Sequence, residues 1–411
     1  MAKKTPLGVW LYGIKVAELT STRPGQVICR YSSEALERWD ANIPLLSCSL
    51  PLTSRKHNDA GLFFRGMLPE GQALQAMAAM ANVATYDTFA MLSRFGRDVA
   101  GAAVIATEDP GPRPGLAVPY GDAELAADVS NLEIRPLALY DDSELSLPGL
   151  QNKLLLINDR GRWARPAGGR PSTHILKAEG RRFPGLASME GACLRWAGLL
   201  GLTSVESEVK TLSGVDCLIV SRYDRVASDD GSVSRLHQED SCQALGRDPE
   251  AARGRGKYEN AGGPSLEEVA SVLDRFAKDP LGELLRLVQV VTFTVLIGNA
   301  DAHGKNLSFI YDGPGVLRLA PLYDTVPTAL WPQMPDRAAM SVNGQVSLSK
   351  VTCHDVAAEA QRWHISYDDA AEKARSTATA LLDALREVGA PARLVDYVGP
   401  RSEAFLSASS P

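Results

Sequence analysis

The 411-residue chain has no C-x-x-C pair. Its six cysteines, Cys29, Cys48, Cys193, Cys217, Cys242 and Cys353, are scattered and mostly sit inside apolar runs. That spacing excludes a disulfide framework or a zinc site and predicts reduced, buried thiols. Positive charge is not in excess either: 43 Lys and Arg face 49 Asp and Glu, for a net charge of -6. A surface that grips nucleic acid or anionic lipid all over is thereby excluded, because such binding needs clustered cations; a local basic patch is not. Long hydrophobic runs are missing too. The longest, LVQVVTFTVLIG from Leu287 to Gly298, is shorter than the ~20 apolar residues of a membrane span and reads as a buried helix. The opening MAKKTPLGVWLYG is broken by Gly8 and Gly13 and shows no cleavage site, so no secretion signal is expected and the location predicted is cytoplasmic. No internal repeat occurs.

What is present is ordinary globular composition, 45% hydrophobic and 22% charged, over a length that suggests two or three lobes. Residues 1–108 alternate β-rich runs (LGVWLYG, GQVICRYS, AAVIAT) with helical stretches and predict a small α+β lobe. The Pro- and Gly-rich segment 109–135 reads as a linker. Residues 136–265 carry three β-like runs, KLLLIN, THILKAE and DCLIVSRYDR, with an amphipathic helix between the second and third, and suggest a nucleotide-covering part. From 266 to 411 the pattern is mostly helical, interrupted by the loop GNADAHGKN and a predicted hairpin, LSFIYDGPGVLRLAPLYD.

The segment from Asn299 to Asn306 is the most informative. Asp301 and Asn306 stand in the D-x-x-x-x-N spacing of a protein-kinase catalytic loop, in which the Asp steers the proton of the attacking hydroxyl and the Asn oxygen holds magnesium. Magnesium asks for a further hard oxygen, and Asp324, at the end of the predicted hairpin, supplies one. Taken alone, the same residues are also good turn formers in a solvated loop. A cation for the nucleotide phosphates is available in Lys177, inside HILKAE, although a lone strand lysine is also a common edge residue. Glu190, on the helix that follows, falls beside inward positions at helical spacing and could hold Lys177 as the kinase Lys–Glu ion pair. In LSLPGLQNKL, Gly149 and Lys153 flank a turn. This is neither a Walker A loop nor G-x-G-x-x-G, but its amides could cradle phosphates; a plain turn is the alternative.

Together these segments resemble the HipA family. The resemblance is carried, in the family's order, by SCSLPLTSR, FRGMLPEG and FGRDVAGA, then SLPGLQNK, THILK, SRYDR, RLHQEDSCQALG, KYENAGGPS, GNADAHGKN and APLYD, over nearly the whole chain. It implies a HipA-like, protein-kinase-like α+β fold, with a small α+β N-terminal lobe and a mostly helical C-terminal lobe. It implies a serine/threonine kinase toxin using ATP and Mg2+, with Asp301 as base and Asn306 and Asp324 on the metal. Lys177 would contact the phosphates, the backbone at Ser221 and Tyr223 would form the adenine hinge, and Asp224 would meet the ribose. Gln238, His303, Lys305, Gly149, Gln151 and Lys153 would complete the nucleotide contacts. Ser146 matches the family's regulatory serine, whose autophosphorylation is implied to pull the loop out and silence the kinase. Pro148 and Leu150 make this loop bulkier than small-residue versions. The implied partners are a dimeric HipB-like helix-turn-helix antitoxin, operator DNA reached through it, and a protein substrate, with an aminoacyl-tRNA synthetase as the first to test. The competing readings are a small-molecule phosphotransferase and a catalytically silent co-repressor.

Overall fold

Alternation of apolar and polar residues in the first hundred positions builds an antiparallel sheet. In chain order its strands are β1 (Leu7–Leu11), β2 (Ile14–Thr20), β3 (Ile28–Tyr31), β4 (Lys56–His57) and β5 (Val104–Ala106), in the spatial order β4-β3-β2-β1-β5. β1 and β2 join through Tyr12 and Gly13, at φ +52° and +82°, the left-handed pair that a tight two-residue hairpin needs. Val9, Phe63, Phe64, Leu92 and Phe95 form the core under this sheet. The computed structural model describes residues 5–111, 115–148, 151–228, 231–334 and 336–407. Gly149 and Leu150 lie outside them.

A second sheet follows: β6 (Leu116–Pro119), β7 (Lys153–Asp159), β8 (Arg162–Ala167), β9 (His174–Ala178), β10 (Ser207–Leu212) and β11 (Val215–Ser221), in the order β10-β11-β9-β7-β8-β6. The stretch 109–135, expected to be a linker, is not a bare connector. Leu116–Pro119 pairs antiparallel with β8 as the edge strand, where a proline is tolerated, and Asp122–Ser130 is a helix. The continuous apolar run of β7 has a simple cause, since both of its faces are buried. Leu154 and Leu156 join Leu176, Cys217 and Ile219 against Leu125 and Val129, while Leu155 turns to the N-terminal core.

Contacts divide the chain into two units, one of Met1–Ala178, Lys210–Glu239 and Ile310–Gly315, the other of Glu179–Val209, Asp240–Phe309 and Val316–Pro411. This differs from the four successive segments read along the sequence. β9 pairs with β11; the chain leaves the first unit after Ala178 and returns at Lys210, within β10, a long-range pairing that local composition does not announce.

The N-terminal motifs are tied to later segments of the first unit. Asp98 of FGRDVAGA accepts from Arg225 Nη2 at 2.9 Å and from Ser172 N and Oγ at 2.9 and 2.7 Å. Glu239, fully buried, accepts from Ser47 Oγ at 2.5 Å, Cys48 N at 3.0 Å and Tyr311 Oη at 2.6 Å. Burial outweighs these donors and pushes the Glu239 carboxyl up to about 6. A carboxyl raised in the folded state contributes stability that is full below the unfolded value of 4.5 and is lost as pH rises through about 6. The loss should amount to roughly 2 kcal/mol. Urea unfolding of wild type and Glu239→Gln between pH 4 and 8 measures this, and the glutamine variant should lack that decline.

The second unit is mostly helical: Leu186–Leu199, Leu266–Phe276, Pro280–Ile297, Cys353–Gln361, Tyr367–Glu387 and Ala392–Ser407. Capping boxes at Ser265/Glu268 and Thr352/Asp355 start two of them, and Asp279 with Pro280 at the first position starts a third. By length and composition Pro280–Ile297 is the one helix among the described residues apolar enough to cross a membrane. It packs against Leu266–Phe276, Tyr367–Glu387 and Ala392–Ser407, with Leu287, Phe293 and Leu296 fully buried. No disulfide occurs among the described residues, and five of the six cysteines are buried.

Candidate functional site

The apolar helix Pro280–Ile297 ends at Gly298, which is left-handed at φ +74°. A Cβ there would lie 2.6 Å from the Tyr397 hydroxyl, so glycine both stops the helix and lets the following loop begin close against its neighbour. Asn299 to Asn306 then fold into a loop cross-braced by its own side chains. Asn299 Oδ1 accepts from Asp301 N at 3.1 Å, and its Nδ2 donates to Asp324 O at 3.3 Å. Asn306 Nδ2 donates to Asp301 O at 2.9 Å. Return of the chain is fixed by Tyr323, whose hydroxyl donates to Lys305 O at 2.6 Å, and by Ala320 N donating to Ser308 O at 2.8 Å. Asp301, Asn306 and Asp324 are thereby gathered within the second unit, as their spacing predicted.

The segment KYENAGGPS forms a wall of this loop. Tyr258 Oη donates to Asp301 Oδ1 at 2.5 Å. Its ring meets His303 edge-on, with centroids 5.2 Å apart and planes at 87°, and Lys257 O accepts from Gly304 N at 3.0 Å. Gly304 is required by close approach, since a Cβ would fall 2.7 Å from Pro264. Tyr258 and Asn299 were not singled out in the sequence. The only signal was that each lies in a motif of the resemblance.

Chemically, the arrangement offers one carboxylate oriented by a phenol and, on the returning chain, Asp324, whose backbone carbonyl is held by the Asn299 amide. With Asn306 Nδ2 used on Asp301 O, its side-chain oxygen is the atom suited to a hard cation. Asp324 sits at φ +55°, a strained conformation for a non-glycine residue of the kind that accumulates at functional positions. Among the described residues no three His, Cys, Asp or Glu side chains gather as metal ligands. One carboxylate and one amide are nevertheless the sparse set that magnesium accepts, since it keeps several waters and takes nucleotide oxygens.

Not every residue expected at the nucleotide is disposed for it. Lys305 is buried with its Nζ 3.3 Å from Asp240 Oδ2, an ammonium already held against a carboxylate. Asp224, expected at the ribose, is engaged within the first unit. It is 3% exposed, and Arg222 Nε and Nη2, at 2.9 and 2.8 Å, and Gly101 N, at 2.7 Å, donate to its carboxylate. With Arg222 and Arg225 beside it, its carboxyl lies well below the usual carboxylate range despite its burial, so it is an interior counter-ion of the first unit. Glu190 is 1% exposed on the helix Leu186–Leu199 of the second unit.

In the first unit, Lys177 on β9 is the direct cross-strand partner of Lys153 on β7, so both lie on one face of the sheet. Like charges opposite one another cost stability unless an anion lies over them. Lys153 Nζ donates to the Pro148 carbonyl, which ties it to the Ser146 loop; Gln151 is half-buried on the approach to β7. Ser146 itself is fully buried, with Oγ donating to Met67 O at 2.9 Å and N donating to Asp98 O at 2.9 Å. Ser221 ends β11 opposite His174, and Tyr223 Oη donates to Gln238 Oε1 at 2.6 Å.

A sheet-rich unit carrying paired lysines and a helical unit carrying a D-x-x-x-x-N loop followed by an aspartate define a protein-kinase-like fold. The HipA N-terminal domain model matches residues 7–106 and the HipA-like C-terminal domain model residues 145–389, and the chain belongs to the HipA family. A relative from Sinorhizobium fredii, named "Putative kinase Y4mE", is 37% identical over 354 residues, 84% of this chain and 82% of that one. The serine/threonine-protein kinase toxin HipA of Shewanella oneidensis is 27% identical over 322 residues, 76% of this chain and 73% of that one. The fold matches HipA in the Shewanella oneidensis MR-1 complex of HipA, HipB and operator DNA, with a TM-score of 0.81 and 24% identity over 98% of this chain and 96% of that one.

Proposed function

We propose that the chain is a serine/threonine protein kinase that transfers the γ-phosphoryl group of ATP to a hydroxyl of a cellular protein, as the toxin of a cytoplasmic toxin–antitoxin pair. The observation that carries this reading is the braced loop, in which Asp301 is oriented by Tyr258 and tied through backbone and amide groups to Asn306 and Asp324. Asp301 would accept the proton of the attacking hydroxyl. Asn306 and Asp324 would hold Mg2+, which neutralises charge on the phosphates when bound. Lys177 is assigned to the phosphates and Glu190 to its kinase-type carboxylate, with Ser221, Tyr223 and Gln238 toward the base and Lys153 and Gln151 near the phosphate loop. The relatives' names support a HipB-like antitoxin and, through it, operator DNA as partners. An aminoacyl-tRNA synthetase is the protein substrate to test first. Incubating the purified chain with labelled ATP, Mg2+ and cell lysate tests the proposal. Label on a discrete protein at Ser or Thr supports it; label on small molecules alone would instead indicate a phosphotransferase, and ATP binding without transfer a co-repressor.

Self-inhibition through phosphorylation of Ser146 is part of this proposal, and the burial of Ser146 supports it. Its hydroxyl is held on Met67 O inside the first unit, and a phosphate there would bring about -1.5 to -2 charges into a packed apolar setting. The phosphorylated loop is therefore expected to leave its packed position. The Ser146→Ala variant should keep its initial transfer rate but lose the slow decline of activity during preincubation with ATP. A decline equal to wild type would remove Ser146 from this role.

A further inference from the structure

The first unit contains an open groove of about 800 Å3, within the size range of small-molecule sites. Arg97, Arg160, Arg170 and Arg235 line it, against a single acidic lining residue, Asp159; Arg97 is also 3.7 Å from Glu144. None of Lys153, Lys177, Ser221, Tyr223 or Gln238 does, so it is separate from the residues assigned to ATP on this unit.

Its floor carries excess positive charge. Behind it, Asp98 and Asp224 are shared among Arg222, Arg225 and Arg235, leaving one buried guanidinium in surplus. Arg235 is the worst served. It stands 3.7 Å from Asp98, its Nη2 donates to Gly169 O at 3.3 Å, and its Nη1 is buried with no hydrogen-bond partner among the described residues. Burial and the neighbouring arginines lower its affinity for a proton, to about 10. Arg170 repeats the pattern, with Nη2 on Gly231 O at 2.8 Å and a buried Nε lacking a partner. Buried guanidinium N–H groups left without an acceptor are costly, and an anion relieves them. Gly169, at φ +78°, leaves room for the Arg97 side chain, which a Cβ would approach to 3.0 Å.

The rim adds an aromatic element. Tyr12 is 54% exposed, yet its hydroxyl is fixed by accepting from His237 N at 3.1 Å, which holds an open ring beside the cations. Trp10 lines the same groove. Guanidinium forks match phosphate oxygens bidentately, and an exposed, pinned ring suits stacking on a planar base.

We propose that this groove is a second ligand site that binds a nucleoside diphosphate, with the arginines on its phosphates and Tyr12 on its base. The test is calorimetric titration of the full chain, without magnesium, with uridine diphosphate and with inorganic pyrophosphate. Replacing exposed Arg160 and half-buried Arg170 together by Gln should weaken both ligands at the groove at least tenfold, while Lys177→Met, which weakens only the site assigned to ATP, retains one groove site of unchanged affinity for each ligand. Tyr12→Asn should weaken uridine diphosphate several-fold and leave pyrophosphate unchanged. Equal affinity in the double arginine variant, or binding lost in Lys177→Met alone, would overturn the site. A triglutamate peptide binding as tightly as pyrophosphate would overturn its assignment to phosphate.

Discussion

Replacing Asp301 by Ala should lower phosphoryl transfer by about 10²- to 10⁴-fold, the usual contribution of a positioned general base, and leave the unfolding midpoint nearly unchanged. The two expectations separate because of where the carboxylate sits. Asp301 is only half-buried, and the contacts that shape its loop, Asn306 Nδ2 on its carbonyl and Asn299 Oδ1 on its N–H, are made to its backbone and survive truncation. Tyr258 would lose its 2.5 Å acceptor. At a partly open position water replaces that acceptor at small cost. Single-turnover transfer together with thermal unfolding of the same preparation checks both halves. A variant that keeps near-normal transfer would displace Asp301 from the chemistry, and one that unfolds would make its role structural.

Asp98→Ala should do the reverse, costing about 3–5 kcal/mol of stability through the loss of one partner in a buried ionic network. Asp98 is 1% exposed and faces Arg225, Arg222 and Arg235 at 2.9, 3.8 and 3.7 Å, as well as both donors of Ser172. Removing it would leave three arginines with Asp224 alone. The pH dependence has a definite sign. The arginines hold the carboxyls of Asp98 and Asp224 below their ordinary value of 3.8, so they contribute stability that is present above about 4 and is lost as pH falls through the depressed values. Denaturant titrations between pH 3 and 7 should therefore show a steep acid loss in wild type and a shallower one in the variant. A change below 1 kcal/mol at pH 7 would mean the network is not stabilising as described.

Much of the second unit's site was legible because its chemistry is local in sequence. Asp301 and Asn306 lie in one loop, and a hairpin was enough to bring Asp324 back. The helical reading of the C-terminal part held for the same reason, since its caps, such as Ser265 with Glu268, are short-range signals. The first unit resisted because its decisive contacts join distant residues. Arg222 is two positions from Asp224, but nothing in SRYDR announces that Gly101, 123 positions away, donates to the same carboxylate and buries it, so a surface role was a natural reading. The same holds for Lys305, whose partner Asp240 is 65 positions away. The proline-rich stretch after Glu108 misled in another way. Proline is punctuation in a chain but is also acceptable on a sheet edge, and Leu116–Pro119 uses it there.

Phosphate localisation on the purified chain tests the central claim most directly. Wild type and Asp301→Ala would each be incubated with ATP and either Mg2+ or excess chelator, and every phosphorylated residue would be mapped by mass spectrometry. The account predicts magnesium-dependent phosphate on Ser146 in wild type and none in the variant. Phosphate on Ser146 in both proteins, or formed in chelator as fast as in Mg2+, would contradict it.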